Sequence, residues 1–272
     1  MRSWRKLILE VIAVIISSII AIPLYITVIN SFKNQAEAAD LGLAFPTYWR
    51  LIENYKEVFI IAKIPQALGN SSILTFLGVI AIIFCCSTSA YIIQRRDNRF
   101  FRIVQKMLIA GMVLPISIIT TYYLLDTLHL VRTHIGVTLI YMATCYSFIT
   151  YLYISFFHGI PREMDEAAII DGIGHHGLFW KVIFPLLKPI NATALIIAFM
   201  EIWNDFTVPF YLLNTANRFT LSLTVYFFFG QHASEWNLVF ADIVMVSLPI
   251  IVFYLFLQRY IVSGLTAGAV KG

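Results

Sequence analysis

Four polar residues fall inside long apolar runs toward the end of the chain: Glu201, Asn204, Asp205 and Asp242. On one helix, Glu201 and Asp205 would be a turn apart and share a face with Asn204. Ionisable side chains in a membrane are costly and normally face a wet cavity or the interior of a helix bundle. Such a wall can hydrogen-bond the hydroxyl groups of a solute, or its carboxylates can bind a coupling ion. For any single residue, a polar clamp between helices or a contact with a partner chain is the alternative.

A second group lies in a polar segment, residues 158–186, between two apolar runs. Pro161 suits the first helical position, and the acidic residues that follow favour the start of a helix. Small alanine side chains suit close helix contact, and a glycine permits a reversal with positive φ. The pattern predicts a helix–turn–helix that docks a soluble partner, or else an amphipathic loop resting on lipid headgroups. The candidate docking residues are Glu166, Ala167, Ala168, Asp171, Gly172, Val182 and Pro185.

The residue sets of common enzymes are missing from this sequence. It has no GxxxxGK[ST] phosphate loop, no HExxH and no GxSxG. Cys85, Cys86 and Cys145 lie in apolar runs without metal-ligand spacing, which favours a packing role. His175 and His176 have the wrong spacing for a metal pair on a helix and suit a polar surface. We therefore expect no catalytic residue, no metal and no cofactor in this chain.

The elements that position these residues follow from the composition. The chain has 272 residues, of which 60% are hydrophobic and 12% charged, and its mean hydropathy is +0.81. Long apolar runs must satisfy their backbone hydrogen bonds as helices or as barrel strands, and these runs do not alternate as strands would. The sequence predicts an all-α membrane protein with six transmembrane helices, at residues 7–29, 73–93, 107–125, 135–157, 190–213 and 238–257.

Most Lys and Arg residues fall in the segments on one side of these helices, which places both termini in the cytoplasm. Residues 158–186 then form a cytoplasmic loop, residues 258–272 a cytoplasmic tail and residues 30–67 an external loop. That loop is predicted to contain a short surface helix over residues 53–59. Pro23, Pro115 and Pro249 are expected to interrupt three of the helices. Residues 1–272 form a single transmembrane domain in this prediction.

Several motifs resemble a known family. Glu166, Ala167, Ala168 and Gly172, with Val182 and Pro185 at the expected spacing, resemble the EAA loop of the membrane subunits of ATP-binding-cassette (ABC) importers; Phe184 replaces the usual leucine. The remaining matches resemble the carbohydrate-uptake branch, above all the smaller maltose-type permease subunit, and the similarity covers nearly all of the chain. They are Glu53-Asn54-Tyr55, Asn70-Ser71, Leu114-Pro115, Trp203-Asn204 and the C-terminal run 264–272.

The resemblance implies a type I ABC importer permease in a bacterial cytoplasmic membrane, serving binding-protein-dependent uptake of a sugar or oligosaccharide. It implies three kinds of protein partner besides membrane lipid: a second homologous permease, two ATP-binding subunits that hold ATP and Mg, and an extracellular or periplasmic solute-binding protein. The net charge of +4 reflects the topology and gives no support to nucleic-acid binding. The EAA loop would couple to the ATPases, and Gly264, Leu265, Thr266 and Gly268 of the tail would contact them.

One competing hypothesis belongs to a different class of transporter. An ion-gradient-driven secondary transporter would use Glu201, Asp205 and Asp242 as coupling carboxylates. Such proteins usually contain two related halves, and the sequence shows none. A membrane-embedded hydrolase would need a nucleophile and base, which are not recognisable here.

Overall fold

The computed structural model describes residues 2–96, 98–174, 177–229 and 235–269, without the side chains of Arg2, Ser3, Arg5, Ala216 and residues 257–269. These ranges are helical and contain no β-strand. A π-helix covers Leu178–Ile183, and 3₁₀ turns cover Ala216–Arg218 and Val225–Phe228. The α-helices are α1 (Arg2–Asn30), α2 (Gln35–Ala39), α3 (Leu51–Ile61), α4 (Ile64–Arg95), α5 (Arg99–Gly111), α6 (Ile118–Thr127), α7 (His134–Phe157), α8 (Glu163–Ile170), α9 (Phe184–Leu186), α10 (Lys188–Asn204), α11 (Thr207–Leu212), α12 (Leu221–Thr224) and α13 (Trp236–Ala269).

Four of the predicted spans each lie within one long helix. Helices α1, α4, α7 and α13 have 29, 32, 24 and 34 residues. At about 1.5 Å per residue, each is longer than the roughly 30 Å hydrocarbon core of a bilayer. The prediction of an all-α membrane protein is therefore confirmed. The short surface helix is also present as α3, slightly longer than expected.

The third and fifth predicted spans are not single helices. Residues 107–125 divide between α5 and α6, which have 13 and 10 residues and are each too short to cross a bilayer alone. Pro115 lies in the stretch between them, where its missing N–H and its ring oppose helix continuation. Residues 190–213 divide between α10 and α11, because Asp205 has extended backbone angles (φ −71°, ψ 127°).

Among the described residues, four helices are long and apolar enough to cross a membrane. The number is five if Leu178–Leu186 and Lys188–Asn204, which meet at a 77° bend, form one broken span. Six spans and cytoplasmic termini remain predictions.

The other two prolines do not interrupt their helices. Pro23 lies inside α1 and Pro249 inside α13, and both helices continue through them. A proline removes one backbone hydrogen bond, a loss that membrane helices tolerate when neighbours compensate.

The chain divides into two compact units. The first combines Met1–Leu68 with Thr220–Val252, and the second combines Gly69–Phe219 with Phe253–Gly272. Within the first unit, the Asn54 amide is fully buried and donates to the carbonyls of Ser31 and Lys33, both at 2.8 Å. Its oxygen accepts from the Asn237 amide at 2.9 Å. Asn54 therefore joins α3, the end of α1 and the start of α13.

The second unit has an apolar core built on α4, α7 and α10. Buried residues recur along α7 at helical spacing, among them Cys145, Ile149 and Tyr153. The Tyr153 hydroxyl donates to the Asn191 side-chain oxygen at 2.6 Å and so links α7 to α10. Cys86 and Cys145 are buried free thiols and Cys85 is half-buried, in agreement with a packing role.

Candidate functional site

The 158–186 loop begins with α8, which starts at Glu163, two residues after the predicted Pro161. Its first turn holds Glu163, Asp165 and Glu166, so three carboxylates lie at the positive end of the helix dipole. The alanines differ in their environment. Ala168 is buried, whereas Ala167 is exposed.

The helix ends in a Schellman turn centred on Gly172. Gly172 has φ +82°, and its N–H donates to the Ile169 carbonyl at 3.0 Å. The Ile173 N–H donates to the Ala168 carbonyl, also at 3.0 Å, which completes the pattern. Apart from its two chain neighbours, no described residue has an atom within 4 Å of the position of a Cβ at Gly172. The turn therefore needs glycine for its backbone angle and not for space.

An ion pair fixes the start of the loop to the end of α4. Arg95 Nε lies 2.7 Å from Asp165 Oδ2, and Nη2 donates to Oδ1 at 3.0 Å. The two side chains are only 12% and 14% exposed. Arg95 Nη1 also donates to the Ile160 carbonyl at 3.3 Å, and the guanidinium lies over the Phe157 ring. The Nη2 hydrogen bond and the close approach of Nε hold the Asp165 carboxylate against the guanidinium.

Aromatic stacking fixes the second half of the loop. Trp180 stacks on Phe84 of α4 with ring centroids 5.7 Å apart, and Phe179 packs against Tyr91 of α4 at 5.4 Å. Phe179 is buried and belongs to the π-helix Leu178–Ile183. Of the predicted docking residues here, Val182 is half-buried and Pro185 is exposed.

Between these two anchors, the loop exposes a mixed apolar and acidic surface. Ile170 is 85% exposed, and Ile169 and Met164 are exposed beside it. Glu166, Ala167, Asp171 and Gly172 are exposed as well. An isoleucine exposed to this degree beside other apolar side chains indicates an interaction surface.

Two predictions fall on parts of the chain that lie outside this description. His175 and His176 are outside the described residues. The backbone of α13 runs through Gly264, Leu265, Thr266 and Gly268 to Ala269, but their side chains and residues 270–272 are outside as well.

The predicted polar wall is partly assembled in the second unit. An open cavity of about 510 Å³ on the surface of this unit is lined by Glu201, Asn204 and Asp205, together with Ile197 and Met200. Glu201 and Asn204 are exposed, and the Asn204 amide also donates to the Met200 carbonyl at 2.9 Å. Two carboxylates and an amide on one cavity wall can hydrogen-bond a hydroxylated solute.

Asp205 is not on the helix that carries Glu201, contrary to the sequence prediction. It follows the end of α10 and caps α11: its Oδ1 accepts from the Thr207 N–H at 2.8 Å and its Oδ2 from the Val208 N–H at 3.3 Å. Its Oδ2 also accepts from the Tyr141 hydroxyl at 2.9 Å. Backbone N–H donors of α11 and the Tyr141 hydroxyl of α7 therefore help to fix the position of the Asp205 side-chain carboxylate.

Asp242 belongs to the first unit, where it is fully buried. The Thr224 hydroxyl lies 3.0 and 2.9 Å from its two carboxyl oxygens and donates to them. Within its own unit, this carboxyl thus connects α13 to α12, the arrangement expected of a polar clamp between helices.

Sequence reasoning missed two functional neighbours. Tyr141 lies in an apolar run without any signal that singles it out, and it reaches Asp205 across 64 residues of chain. Arg95 is one of several basic residues that follow an apolar run, and its partner Asp165 is 70 residues away. The only available signal for the pair was an acidic residue directly before the Glu166-Ala167-Ala168 motif.

Comparison with known proteins assigns the chain to a family. Residues 2–267 match the model of the family described as "Binding-protein-dependent transport system inner membrane component". The chain is 30% identical over 269 residues to the probable starch degradation products transport system permease protein AmyC of Thermoanaerobacterium thermosulfurigenes, covering 98% of this chain and 97% of the relative. It is 33% identical over 274 residues to the melibiose/raffinose/stachyose import permease protein MelC of Bacillus subtilis, covering 100% and 99%.

The fold is also found in a solved structure. A chain of a bacterial ABC transporter involved in the import of the acidic polysaccharide alginate superimposes with a TM-score of 0.82. The match covers 96% of this chain and 98% of the other, at 22% identity. Together with the family match over nearly the whole sequence, these findings show that the chain belongs to the binding-protein-dependent transport system inner membrane components, the multi-pass permease subunits of ABC importers.

Proposed function

We propose that this chain is one permease subunit of an ATP-driven importer that takes up a sugar or oligosaccharide delivered by a solute-binding protein. It would form half of the translocation path beside a second, homologous permease. Two separate subunits would bind ATP and Mg and hydrolyse the ATP, so this chain would be non-catalytic. The names of the relatives AmyC and MelC refer to starch products and to melibiose, raffinose and stachyose. These names support a sugar as the transported solute.

The 158–186 loop carries the proposal. The surface around Ile169 and Ile170 is exposed. The loop that presents this surface is fixed to α4 in its first half by the ion pair of Arg95 with Asp165, and in its second half by the stacking of Trp180 on an α4 ring. An anchored surface of this kind can transmit a push from a bound partner to α4, whereas a loop resting on headgroups needs no such anchoring. We assign the surface to the cytoplasmic ATPase subunits, with Glu166, Ala167, Asp171 and Gly172 in contact and Ala168 supporting them from below.

The cavity beside Glu201 supports the transport part of the proposal. Glu201, Asn204 and Asp205 offer several hydrogen-bond acceptors and one amide donor on a shared wall. Sugars present many hydroxyl groups that both donate and accept. In this proposal Glu201, Asn204 and Asp205 line the path, and Asp242 holds α13 to α12 within its own unit.

Uptake by reconstituted vesicles tests the proposal. The purified assembly, with its co-purifying subunits and binding protein, is placed in liposomes with ATP inside and labelled maltooligosaccharide, melibiose or raffinose outside. We expect uptake that requires internal ATP and persists when a protonophore removes the proton gradient. Uptake that continues without ATP and collapses with the protonophore would replace the proposal with the gradient-driven transporter.

A further inference from the structure

Residues 41–49, called here the 41–49 segment, form an uncharged stretch outside the long helices. Asp40 and Arg50 border it, and no charged residue lies between them. Its large side chains are nevertheless exposed, with Phe45 at 70% and Tyr48 at 72%. A run of exposed apolar and aromatic side chains is unfavourable in water and marks a surface that is covered by something else.

The backbone of this segment is folded back against α1. Leu41 has φ 51°, a left-handed angle that residues other than glycine rarely adopt, and it reverses the chain. The Gly42 carbonyl accepts from Asn30 Nδ2 at 3.3 Å and from Lys33 Nζ at 2.9 Å. The Leu43 carbonyl then accepts from the Tyr25 hydroxyl at 3.1 Å. Three side-chain donors therefore hold the start of the segment in place.

The bond to Tyr25 sets the depth of the segment. Tyr25 lies five residues before the last residue of α1, Asn30, which is roughly 7 Å along the helix axis. Side chains of a helix lean toward its N-terminus, so the Tyr25 hydroxyl is no closer to the Asn30 end than its own Cα. The candidate span of α1 itself extends to Asn30. Leu43 is therefore level with the last turns of a membrane-spanning helix, below its end.

The side chains of the segment suit that depth. Phe, Tyr and Trp residues concentrate where the hydrocarbon meets the lipid headgroups, because their rings are apolar and Tyr and Trp carry a polar group. Trp49 stacks one face on Phe32, with centroids 5.7 Å apart, and remains largely exposed. The Arg50 N–H donates to the Phe32 carbonyl at 2.8 Å, which fixes the far end of the segment.

We propose that the 41–49 segment is a lipid-contact surface, seated in the interface of the leaflet at the Asn30 end of α1. Its partner is the lipid itself, at the level of the glycerol and headgroups. Asp40 and Arg50 mark the points where the chain enters and leaves this layer. The surface anchors α1, which precedes it in the chain, and α3, which follows it, at a fixed depth in the membrane.

Spin-label accessibility tests this proposal directly. A nitroxide is attached at Phe45→Cys or Tyr48→Cys in a chain whose three cysteines are replaced by alanine, assembled with its partner subunits in phosphatidylcholine/phosphatidylglycerol nanodiscs. A label at Glu57→Cys, exposed on α3, is the aqueous control. We expect the ratio of oxygen collisions to collisions with a water-soluble nickel chelate to be severalfold higher at positions 45 and 48 than at this control. A ratio as low as that of the control would place the segment in water, and low collisions with both reagents would place it against a protein; either result overturns the proposal.

A second measurement leaves the cysteines untouched. Brominated phosphatidylcholine quenches tryptophan fluorescence at close range, and Trp49→Phe keeps an aromatic ring against Phe32. We expect the wild-type assembly to lose a larger fraction of its emission in brominated nanodiscs than the Trp49→Phe assembly. Equal fractional quenching of the two proteins would contradict a lipid contact at Trp49, whether or not the cysteine-free chain assembles.

Discussion

At the scale of single residues, the 158–186 loop depends on two positions that act for different reasons. Gly172 supplies a backbone angle, and its surroundings would admit a larger side chain. Arg95 supplies a guanidinium whose orientation matches the Asp165 carboxylate and the backbone of the loop. The first sets the shape of the loop, and the second sets its place on α4.

The Gly172→Val variant should uncouple transport. A left-handed backbone angle costs a non-glycine residue about 1–2 kcal/mol, and more for a β-branched one, so the Schellman turn will rearrange. We expect sugar uptake to fall and substrate to lose its stimulation of ATP hydrolysis, while the amount of protein in the membrane stays normal. Gly174→Val is the matched control, because Gly174 is also exposed with open space around it and does not have a positive φ. Equal uptake by the two variants would remove the docking role of the turn.

The Asp165→Ala variant should lower both stability and coupling. The pair is half-buried, and removing one partner of a shielded, charge-assisted hydrogen bond costs about 1–3 kcal/mol, since the other charge is left without its counterion. We expect a lower thermal midpoint and weaker substrate stimulation of ATP hydrolysis. The double variant Arg95→Asp/Asp165→Arg, which exchanges the two charges, should recover part of the thermal midpoint and part of the substrate stimulation of ATP hydrolysis. Arg96 is the exposed neighbour of Arg95, and Arg96→Ala should change neither the thermal midpoint nor the stimulation of ATP hydrolysis. If Arg96→Ala lost as much coupling as Asp165→Ala, the ion pair would have no specific role.

Two substitutions of Asp205 distinguish its structural role, as a hydrogen-bond acceptor, from its role in the cavity, as a negative charge. Asp205→Ala removes the cap of α11 and the acceptor for Tyr141, and the loss of a cap alone costs about 0.5–2 kcal/mol. Asp205→Asn keeps one carbonyl oxygen and loses the charge. We expect Asp205→Ala to lower the thermal midpoint of the purified assembly, and Asp205→Asn to preserve assembly but alter uptake. Unchanged uptake by an assembled Asp205→Asn variant would exclude the carboxylate from the path.

At the scale of elements, the breaks between helices decide where polar groups end up. The start of α7 is one such junction: Thr133 Oγ1 accepts from the Gly136 N–H at 3.0 Å and donates to the Leu130 carbonyl at 2.7 Å. This closed turn brings the Leu130 carbonyl so near the helix that a Cβ at Gly136 would lie 2.3 Å from its oxygen. Glycine is required here by a close approach of two backbone segments.

The Gly136→Ala variant should therefore destabilise the protein, although alanine favours helices. Forcing an extra carbon into a filled space typically costs about 1–3 kcal/mol, and here the opposing atom belongs to the backbone and cannot turn aside. We expect a lower thermal midpoint in detergent. Gly69→Ala in α4, where nothing lies within 4 Å of a Cβ, should be neutral or slightly stabilising. Similar midpoints for the two variants would show that the turn before α7 is looser than described.

At the scale of the whole molecule, the decisive property is which segments lie on which side of the membrane. The predicted arrangement places residues 99 and 174 in the cytoplasm and residues 57 and 218 outside. Cysteines introduced at these positions in a cysteine-free chain should react with an impermeant maleimide from one side only, 99 and 174 from the cytoplasm and 57 and 218 from outside. Reaction at 174 from the external side would overturn the predicted orientation and, with it, the docking of cytoplasmic ATPases on the loop.

The sequence by itself determined the class of the protein and the local shape of the loop. In lipid the backbone must satisfy its hydrogen bonds as helices or as strands of a closed barrel, and long apolar runs that do not alternate indicate helices. The reversal after Asp171 was predictable because glycine alone adopts its backbone angle at little cost, and φ at Gly172 is +82°.

Only the tertiary structure decided where helices break and which polar side chains meet. Pro23 and Pro249 stay inside continuous helices whereas Pro115 lies at a break, because a helix can lose one backbone hydrogen bond and continue, so a proline alone does not determine where a helix ends. Asp205 lies beyond the end of the helix that carries Glu201, although both line the same cavity, and backbone donors of α11 and the hydroxyl of Tyr141 hold its carboxylate there. Its contact with Tyr141 and that of Arg95 with Asp165 join residues 64 and 70 positions apart, and helical periodicity relates only residues within a few turns of one another.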